Sequence, residues 1–209
     1  MILFSKYTIE QQDSLSRMEG CAMTLKTVTI SVIVASGLSM LGAPEAGADV
    51  TSPLQALADA AAQRLQTADP VAASKFRTGG QVDDPQREQQ VIDAVTADAT
   101  SAHVDAGYVH DVFRNQIDAT DSVEHSRFAQ WKLDPASAPA TAPDLSASRA
   151  TIDRLNHTIV GEIAKQWSTL HSPSCRADLD AAVDAVAQAR NLDPVYRQAL
   201  GYATHSYCR

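Results

Sequence analysis

The 209-residue sequence lacks the patterns that mark β-sheet enzymes and the commonest catalytic motifs. It has little alternation of β-branched with polar residues, no βαβ pattern and no glycine-rich phosphate loop. The motifs C-x-x-C, H-E-x-x-H and G-x-S-x-G are also absent, which argues against a thiol redox centre, a zinc protease site and a serine hydrolase elbow. Because alanine is abundant throughout, the sequence predicts an all-α fold.

Positive charge is also scarce. The chain has 17 lysines and arginines against 25 acidic residues, which gives a net charge of −8. A general field of this sign repels a polyanion, so we expect no nucleic-acid partner. A small anion can bind only where cations form a local cluster. The six histidines have no metal-ligand spacing, and we expect no metal site.

The sequence has no hydrophobic run of membrane-spanning length. The apolar stretch VTISVIVASGLSMLGAP follows Lys26, is interrupted by Ser, Gly and Pro, and is shorter than the ~20 residues that a spanning helix needs. The small residues Ala46-Gly47-Ala48 come soon after it, which is typical of a secretory cleavage site. We therefore predict a signal peptide at about residues 23–48, cleaved after Ala48. A transmembrane anchor is the alternative.

Cleavage at this site leaves residues 49–209, a suitable length for one domain with one core. The domain would be secreted or held in the periplasm or cell envelope, without a stable membrane anchor. The residues before the signal form no interpretable pattern, so the start is either Met1 or Met23. Residues 1–48 are thus expected to be a leader that does not belong to the fold.

Two of the three cysteines fall in this predicted domain. Cys21 belongs to the leader, whereas Cys175 and Cys208 form an even pair in a compartment that oxidises thiols. We predict a disulfide between them, which would tie the last helical region together.

Apolar periodicity predicts about six helices in a single domain, three on each side of a connecting loop. The first runs from about residue 54 to 76, where Pro70 either kinks it or follows the N-cap of a new helix at Asp69. The second begins near Asp84, and the third runs from about residue 106 to 131.

The loop is the segment KLDPASAPATAPDLSAS, residues 132–148, which is rich in proline and small polar residues. Ser146 or Ser148 can cap the fourth helix, and Ser174 can cap the fifth. Asp193, followed by a proline, opens the sixth.

Charged and hydroxyl residues recur at helical spacing across the first three helices. Arg64 and Lys75 are eleven residues apart, so on one continuous helix they would face the same way. Thr120 and Glu124 share a helix face because they are four residues apart. These residues indicate a polar pocket for a small anion, and solvated helix faces are the alternative. The entrance to the second helix adds Asp84, Arg87 and Glu88.

The order and spacing of these residues resemble the active site of the all-helical chorismate mutases. Three longer segments resemble the secreted mycobacterial branch of that family: AAAQRL-x-x-ADPVAA-x-K, SRF-x-x-WKL-x-PASAP and PDLSASR. The export signal and the cysteine pair fit the same branch. The match spans essentially all of the predicted mature chain, and it implies a type II helical fold with two helical halves in one chain.

The resemblance implies an isomerase that converts chorismate to prephenate in phenylalanine and tyrosine biosynthesis. This pericyclic rearrangement needs no cofactor, metal or covalent intermediate. Catalysis would depend on orienting a dianion and on placing charge beside the ether oxygen, which becomes negative as its bond breaks. A homodimer is also implied. The alternative function is a secreted helical binding or host-interaction protein that keeps the scaffold without catalysis.

By the same resemblance, Arg64 and Arg149 clamp the carboxylates of the substrate, because a planar guanidinium suits a carboxylate better than lysine does. Lys75 faces the ether oxygen and a carboxylate, and Thr120 helps to hold a carboxylate. Arg149 follows the proline-rich loop, so a reach back to the first half would complete the site within one chain.

The resemblance puts Asp84, Arg87 and Glu88 near the ring hydroxyl, and Arg87 is a further candidate for the carboxylates. Glu124 corresponds to the second position beside the ether oxygen, where some relatives have Gln. A carboxyl donates a hydrogen bond only when it is protonated. We therefore expect burial to raise the pKa of Glu124, partly opposed by the surrounding cations.

Overall fold

The computed structural model describes residues 51–209, so the predicted leader and signal peptide lie outside the described residues. Seven helices there have eleven residues or more, α6 is a single turn, and the described residues contain no strand, which confirms the all-α fold. Within 51–209, no helix is both long enough and apolar enough to span a bilayer. The helices are α1 Gln55–Gln66, α2 Ala68–Thr78, α3 Pro85–Ser101, α4 Ala106–Leu133, α5 Leu145–Lys165, α6 Trp167–Leu170, α7 Cys175–Ala189 and α8 Pro194–Thr204, with a short 3-10 helix at Pro135–Ser137.

The first predicted helix is two helices, because the chain breaks at Thr67. The backbone N and the Oγ1 of Thr67 both donate to the carbonyl of Arg64, at 3.1 and 2.6 Å. Pro70 is the third residue of α2, where its missing N–H is tolerated because the first N–H groups of a helix have no helical partner. Neither predicted alternative is right, since the break precedes Pro70 and the N-cap is Thr67 rather than Asp69. The fourth predicted helix divides in the same way at Gln166.

None of the three serines predicted as helix caps accepts a backbone N–H at the start of its helix. The N-cap of α5 is Asp144, whose carboxylate accepts the backbone N–H of Ser146 at 2.8 Å, so the predicted caps Ser146 and Ser148 are wrong. Ser174 does occupy the N-cap of α7, but its hydroxyl donates to Asp178 at 2.9 Å instead of accepting from the backbone.

Two predicted helix starts are confirmed. The carboxylates of Asp84 and Asp193 cap α3 and α8 by accepting backbone N–H groups at 3.1 and 2.9 Å. A proline is the first residue of each helix, where it costs no hydrogen bond.

Helix α1 lies at the centre of the fold and joins the two predicted halves in a single core. It packs against α2 and α4 from one half and against α5, α7 and α8 from the other. Four of its alanines are buried, which lets neighbouring helices approach closely, and Leu57 and Leu65 are fully buried. One cluster of buried apolar residues runs from Leu54 to Tyr207. The site described below lies where α1 to α5 meet around a polar cavity.

The predicted disulfide between Cys175 and Cys208 is confirmed, and it holds the C-terminal tail against the core. The two Cα atoms are 5.7 Å apart, across 33 residues of chain. Tyr207, which precedes Cys208, is fully buried, and its carbonyl accepts the hydroxyl of Tyr108 at 2.6 Å. The bridge therefore links the start of α7 to a tail that contacts α4.

We expect Cys175→Ser to lower the free energy of unfolding by about 3–4 kcal/mol, because the unfolded chain regains the entropy of the open loop. Denaturant unfolding followed by circular dichroism measures the change. The reduced wild-type protein is the control and should match the variant, while a reductant should leave the variant unaffected. Equal stability of the variant and the oxidised wild type would contradict a stabilising bridge.

Candidate active site

One cavity among α1 to α5 is lined by all eight side chains that the sequence indicated for a site. The premise that Arg64 and Lys75 share one continuous helix is wrong, because the chain breaks at Thr67 between them. Both cations nevertheless line the cavity, one from α1 and one from α2. The complete set is Arg64, Lys75, Asp84, Arg87, Glu88, Thr120, Glu124 and Arg149.

Arg64 is a buried cation whose hydrogen-bond partners are all neutral. It lies in the last turn of α1 and is only 4% exposed. Its Nε donates to Asn156 Oδ1 at 2.8 Å, and its Nη1 donates to Thr120 Oγ1 at 3.2 Å and to the carbonyl of Gln116 at 3.4 Å. Burial lowers the pKa of Arg64 to about 10, although the negative charge of Asp121 acts to raise it. The guanidinium is therefore still protonated at neutral pH. Its charge is therefore available to an anion.

Thr120 joins this arginine to α4. Its Oγ1 donates to the carbonyl of Gln116 at 2.7 Å, one helical turn earlier, and accepts from Arg64. A hydroxyl with one proton and two lone pairs can do both and still accept one further hydrogen bond. The predicted pairing of Thr120 and Glu124 on one helix face is confirmed, because both line the cavity from α4.

Lys75 and Glu124 form a largely buried ion pair. Lys75 Nζ lies 2.9 Å from Glu124 Oε2 and also donates to the carbonyl of Val82 at 2.6 Å. Burial raises the pKa of Glu124 to about 7, and Lys75 opposes this rise, as the sequence predicted. Near neutral pH the carboxyl is therefore divided between its charged form and a neutral form that can donate a hydrogen bond.

The more exposed side of the cavity, which we call the mouth, has two ion pairs that join α3 to α5. Arg87 of α3 pairs with Asp153 of α5, and Arg149 Nη2 of α5 lies 3.2 Å from Oδ2 of Asp84, the N-cap of α3. Arg149 therefore contacts the first half of the chain, as predicted. Glu88 accepts a hydrogen bond from Arg114 at 3.0 Å, so its carboxylate is already partly neutralised.

Three polar residues were missed by the sequence reasoning: one lines the cavity, and two bind the arginines that line it. Asn156 is 4% exposed and lies within the apolar stripe of α5, where a lone polar residue was the available signal. Asp121 follows Thr120 and precedes Glu124 by three residues. Burial and, to a smaller extent, the nearby negative charge of Glu88 raise the pKa of Asp121 to about 6. Asp153 had no signal, since an exposed acidic residue on a helix is common.

The arrangement suits a small molecule with more than one carboxylate. Four cations from four different helices border one cavity: Arg64, Lys75, Arg87 and Arg149. The deepest of them, Arg64, is hydrogen-bonded only to neutral groups among the described residues, and a carboxyl able to carry a proton near pH 7 lies beside the lysine. The cavity can therefore bind an oligoanion and offer both charged and neutral hydrogen-bond donors to it.

Comparison with known proteins agrees with this geometry. Residues 55–125 match the family Chorismate mutase type II. A secreted chorismate mutase of Mycolicibacterium smegmatis is 70% identical over 180 residues, which cover 86% of this chain and 99% of the relative. A secreted chorismate mutase of Mycobacterium tuberculosis is 48% identical over 185 residues, 88% of this chain and 93% of the relative.

Solved structures give the same result. The chorismate mutase of Burkholderia phymatum superposes with a TM-score of 0.72 at 31% identity, covering 76% of this chain and 98% of that one. The chorismate mutase of Burkholderia thailandensis gives 0.71 at 29% identity, covering 75% and 99%. Because the similarity extends over nearly the whole length of these relatives, the chain belongs to the secreted chorismate mutases, which are isomerases of the all-helical type II family.

Proposed function

We propose that the cavity binds chorismate and rearranges it to prephenate. The observation that carries this proposal is the convergence of four cations on one cavity around Arg64, which has only neutral partners. The substrate carries two carboxylates and must be held in a compact, chair-like conformer. Binding of both carboxylates by fixed cations would supply that orientation, which can account for a large part of a unimolecular rate enhancement.

In this proposal Arg64 and Arg149 bind the carboxylates, one from the deep end of the cavity and one from the mouth. The Nε and Nη1 of Arg64 already have partners within the protein, and we assign its Nη2 to the substrate. Thr120 supports the same carboxylate by turning its one proton from the carbonyl of Gln116 to a carboxylate oxygen, because a carboxylate can only accept a hydrogen bond. Arg64 is already held by Asn156, so little side-chain entropy would be lost on binding.

The ether oxygen, in this proposal, lies between Lys75 and Glu124. Negative charge develops on this oxygen as its bond to the ring breaks, and a fixed ammonium stabilises that charge more in the transition state than in the ground state. Glu124 adds a second hydrogen bond only in its protonated form. Its raised pKa makes that form available near neutral pH.

The remaining three predicted residues would lie around the ring hydroxyl at the mouth. Asp84 and Glu88 can accept a hydrogen bond from it, and Arg87 is close enough to contribute to carboxylate binding as well. Asp121 is a fourth carboxyl on the cavity wall. In its charged form it would repel the dianion, and the rise of its pKa to about 6 reduces that charge at mildly acid pH.

The first test measures the loss of chorismate absorbance in the presence of a protein that comprises residues 49–209. It compares the wild-type sequence with a Lys75→Ala variant. We expect turnover by the wild type and a fall of kcat/KM by about 10²- to 10³-fold in the variant, because one donor to the developing charge is lost. Lys165→Ala is the matched control, since Lys165 is exposed and pairs only with Glu162 among the described residues. No turnover by a folded, disulfide-bonded sample would favour the binding-protein alternative. Full activity of Lys75→Ala would remove the electrostatic role.

The pH dependence of kcat tests the protonated role of Glu124. Because the pKa is raised to about 7, the donating form dominates below this pH and is lost above it. We expect kcat to be constant in acid and to fall up to tenfold per pH unit above about pH 7, or from a higher pH if the bound dianion raises the pKa further.

Glu124→Gln should abolish this fall, because an amide donates at every pH. Asp121→Asn is the matched control and should keep the fall of kcat, since it removes a different buried carboxyl of α4. A flat wild-type profile, or a fall that persists in Glu124→Gln, would assign the titration to another group.

Export and assembly are further parts of the proposal. We propose that residues 1–48 are a leader removed after Ala48 and that the mature chain forms a homodimer outside the cytoplasm. Native mass spectrometry of the exported protein tests both, with an expected species of two chains that each begin at Asp49. A retained leader would favour the membrane-anchor alternative, and a monomer at micromolar concentration would contradict the dimer.

A further inference from the structure

The two ion pairs at the mouth engage cations that the proposed reaction also needs. Arg87 pairs with Asp153, and Arg149 pairs with Asp84. Asp153 lies four residues after Arg149 on α5, so both present to the same side of that helix, next to the start of α3. The mouth therefore alternates cations and carboxylates across the two helices.

The pairs differ from the deep part of the cavity in exposure. The side chains of Arg87 and Asp153 are 25% and 51% exposed, whereas Arg64 is 4% exposed and bonded to neutral groups. Ion pairs between exposed side chains contribute little to stability because water and salt screen them. The pair of Arg87 and Asp153 can therefore open at little cost.

A carboxylate of the protein and a carboxylate of the substrate compete for the same guanidinium. The planar fork of an arginine binds one carboxylate through two parallel hydrogen bonds, and a second carboxylate cannot take the same two. Asp153 takes one N–H of Arg87 Nη2, so a ligand carboxylate competes with Asp153 for the fork that contains this N–H and for the charge of the guanidinium. The fraction of molecules with the pair closed then lowers the apparent affinity for the ligand.

We propose that Asp153 is a positioning residue that acts through Arg87. It holds the guanidinium of Arg87 at the mouth and is displaced from it when a carboxylate of the substrate binds. The inference rests on the proposed function of the cavity. Substrate and product are both dianions, so Asp153 weakens the binding of both and favours release of the product. The effect is the same for ground state and transition state, so it changes KM and leaves the chemical step unaltered.

Asp153 allows a cleaner test than Asp84. The carboxylate of Asp84 also caps α3 by accepting the N–H of Arg87, so its replacement would disturb the start of that helix. Asp153 lies in the middle of α5, and Arg87 is its only hydrogen-bond partner among the described residues. Asp153→Asn keeps the size of the side chain, removes the charge and leaves one oxygen that can still accept from Arg87.

The experiment compares Asp153→Asn with the wild type in steady-state kinetics on chorismate and in calorimetric binding of prephenate. We expect KM and the Kd for prephenate each to fall about two- to five-fold, with kcat unchanged. An exposed ion pair of this kind favours its closed form over its open form by about this factor, and the variant removes that competition. Asp180→Asn is the matched control. Asp180 is an exposed carboxylate on α7 that pairs with Arg176, so the variant has the same net charge without a change at the mouth.

A second pair of proteins separates competition for Arg87 from simple repulsion. In an Arg87→Ala background, Asp153→Asn should leave KM and Kd unchanged if Asp153 acts through the guanidinium. A fall of the same size in that background would overturn the inference and assign the effect to direct repulsion of the dianion. Unchanged or weaker binding by Asp153→Asn alone would also overturn it. A wild type that binds prephenate without turning over chorismate would instead refute the proposed function, while the Kd values would still decide the role of Asp153.

Discussion

A buried arginine, hydrogen-bonded to no acidic group in the described part of the chain, is the feature on which the rest of the site depends. Transfer of a guanidinium from water into a protein costs several kcal/mol unless other groups compensate it. For Arg64 the compensation comes from neutral oxygens, two on α4 and one on α5. These acceptors satisfy the hydrogen-bonding groups but leave the positive charge in place. An acidic partner would have stabilised the arginine more and left less attraction for an anion.

The position of α1 explains why the arginine is there. The helix is surrounded by α2, α4, α5, α7 and α8, and Arg64 lies on the side of its last turn that these helices cover, so its side chain is almost entirely shielded from solvent. The break at Thr67 ends α1 just beyond Arg64 and lets α2 leave in a new direction, which brings Lys75 to the same cavity from another side. The core and the site are thus formed by the same packing, and the second half of the chain supplies Asn156 and Arg149 to residues of the first.

Charge in the cavity changes from the deep end to the mouth. Among residues 51–209, the deep end has a cation whose hydrogen-bond partners are all neutral, and the middle has Lys75 beside a carboxyl whose pKa burial raises to about 7. At the mouth, exposed cations are paired with exposed carboxylates. Burial accounts for the middle region and exposure for the mouth, because desolvation disfavours charged carboxylates inside while screening makes ion pairs inexpensive outside.

The sequence by itself determined the helical class, the disulfide and most of the site, because each of these follows from local spacing or from segments that resemble a family. Apolar periodicity, the even pair Cys175 and Cys208, and the order of residues from Arg64 to Arg149 all agree with the structure. The sequence did not determine the break at Thr67. Nor did it determine that Asn156 and Asp153 bind Arg64 and Arg87, respectively. Those depend on which helix faces meet, and α5 meets α1 and α3 only after the chain has folded across 92 and 66 residues, respectively. Only the tertiary structure could decide them, because a hydrogen bond between distant residues leaves no period in the sequence.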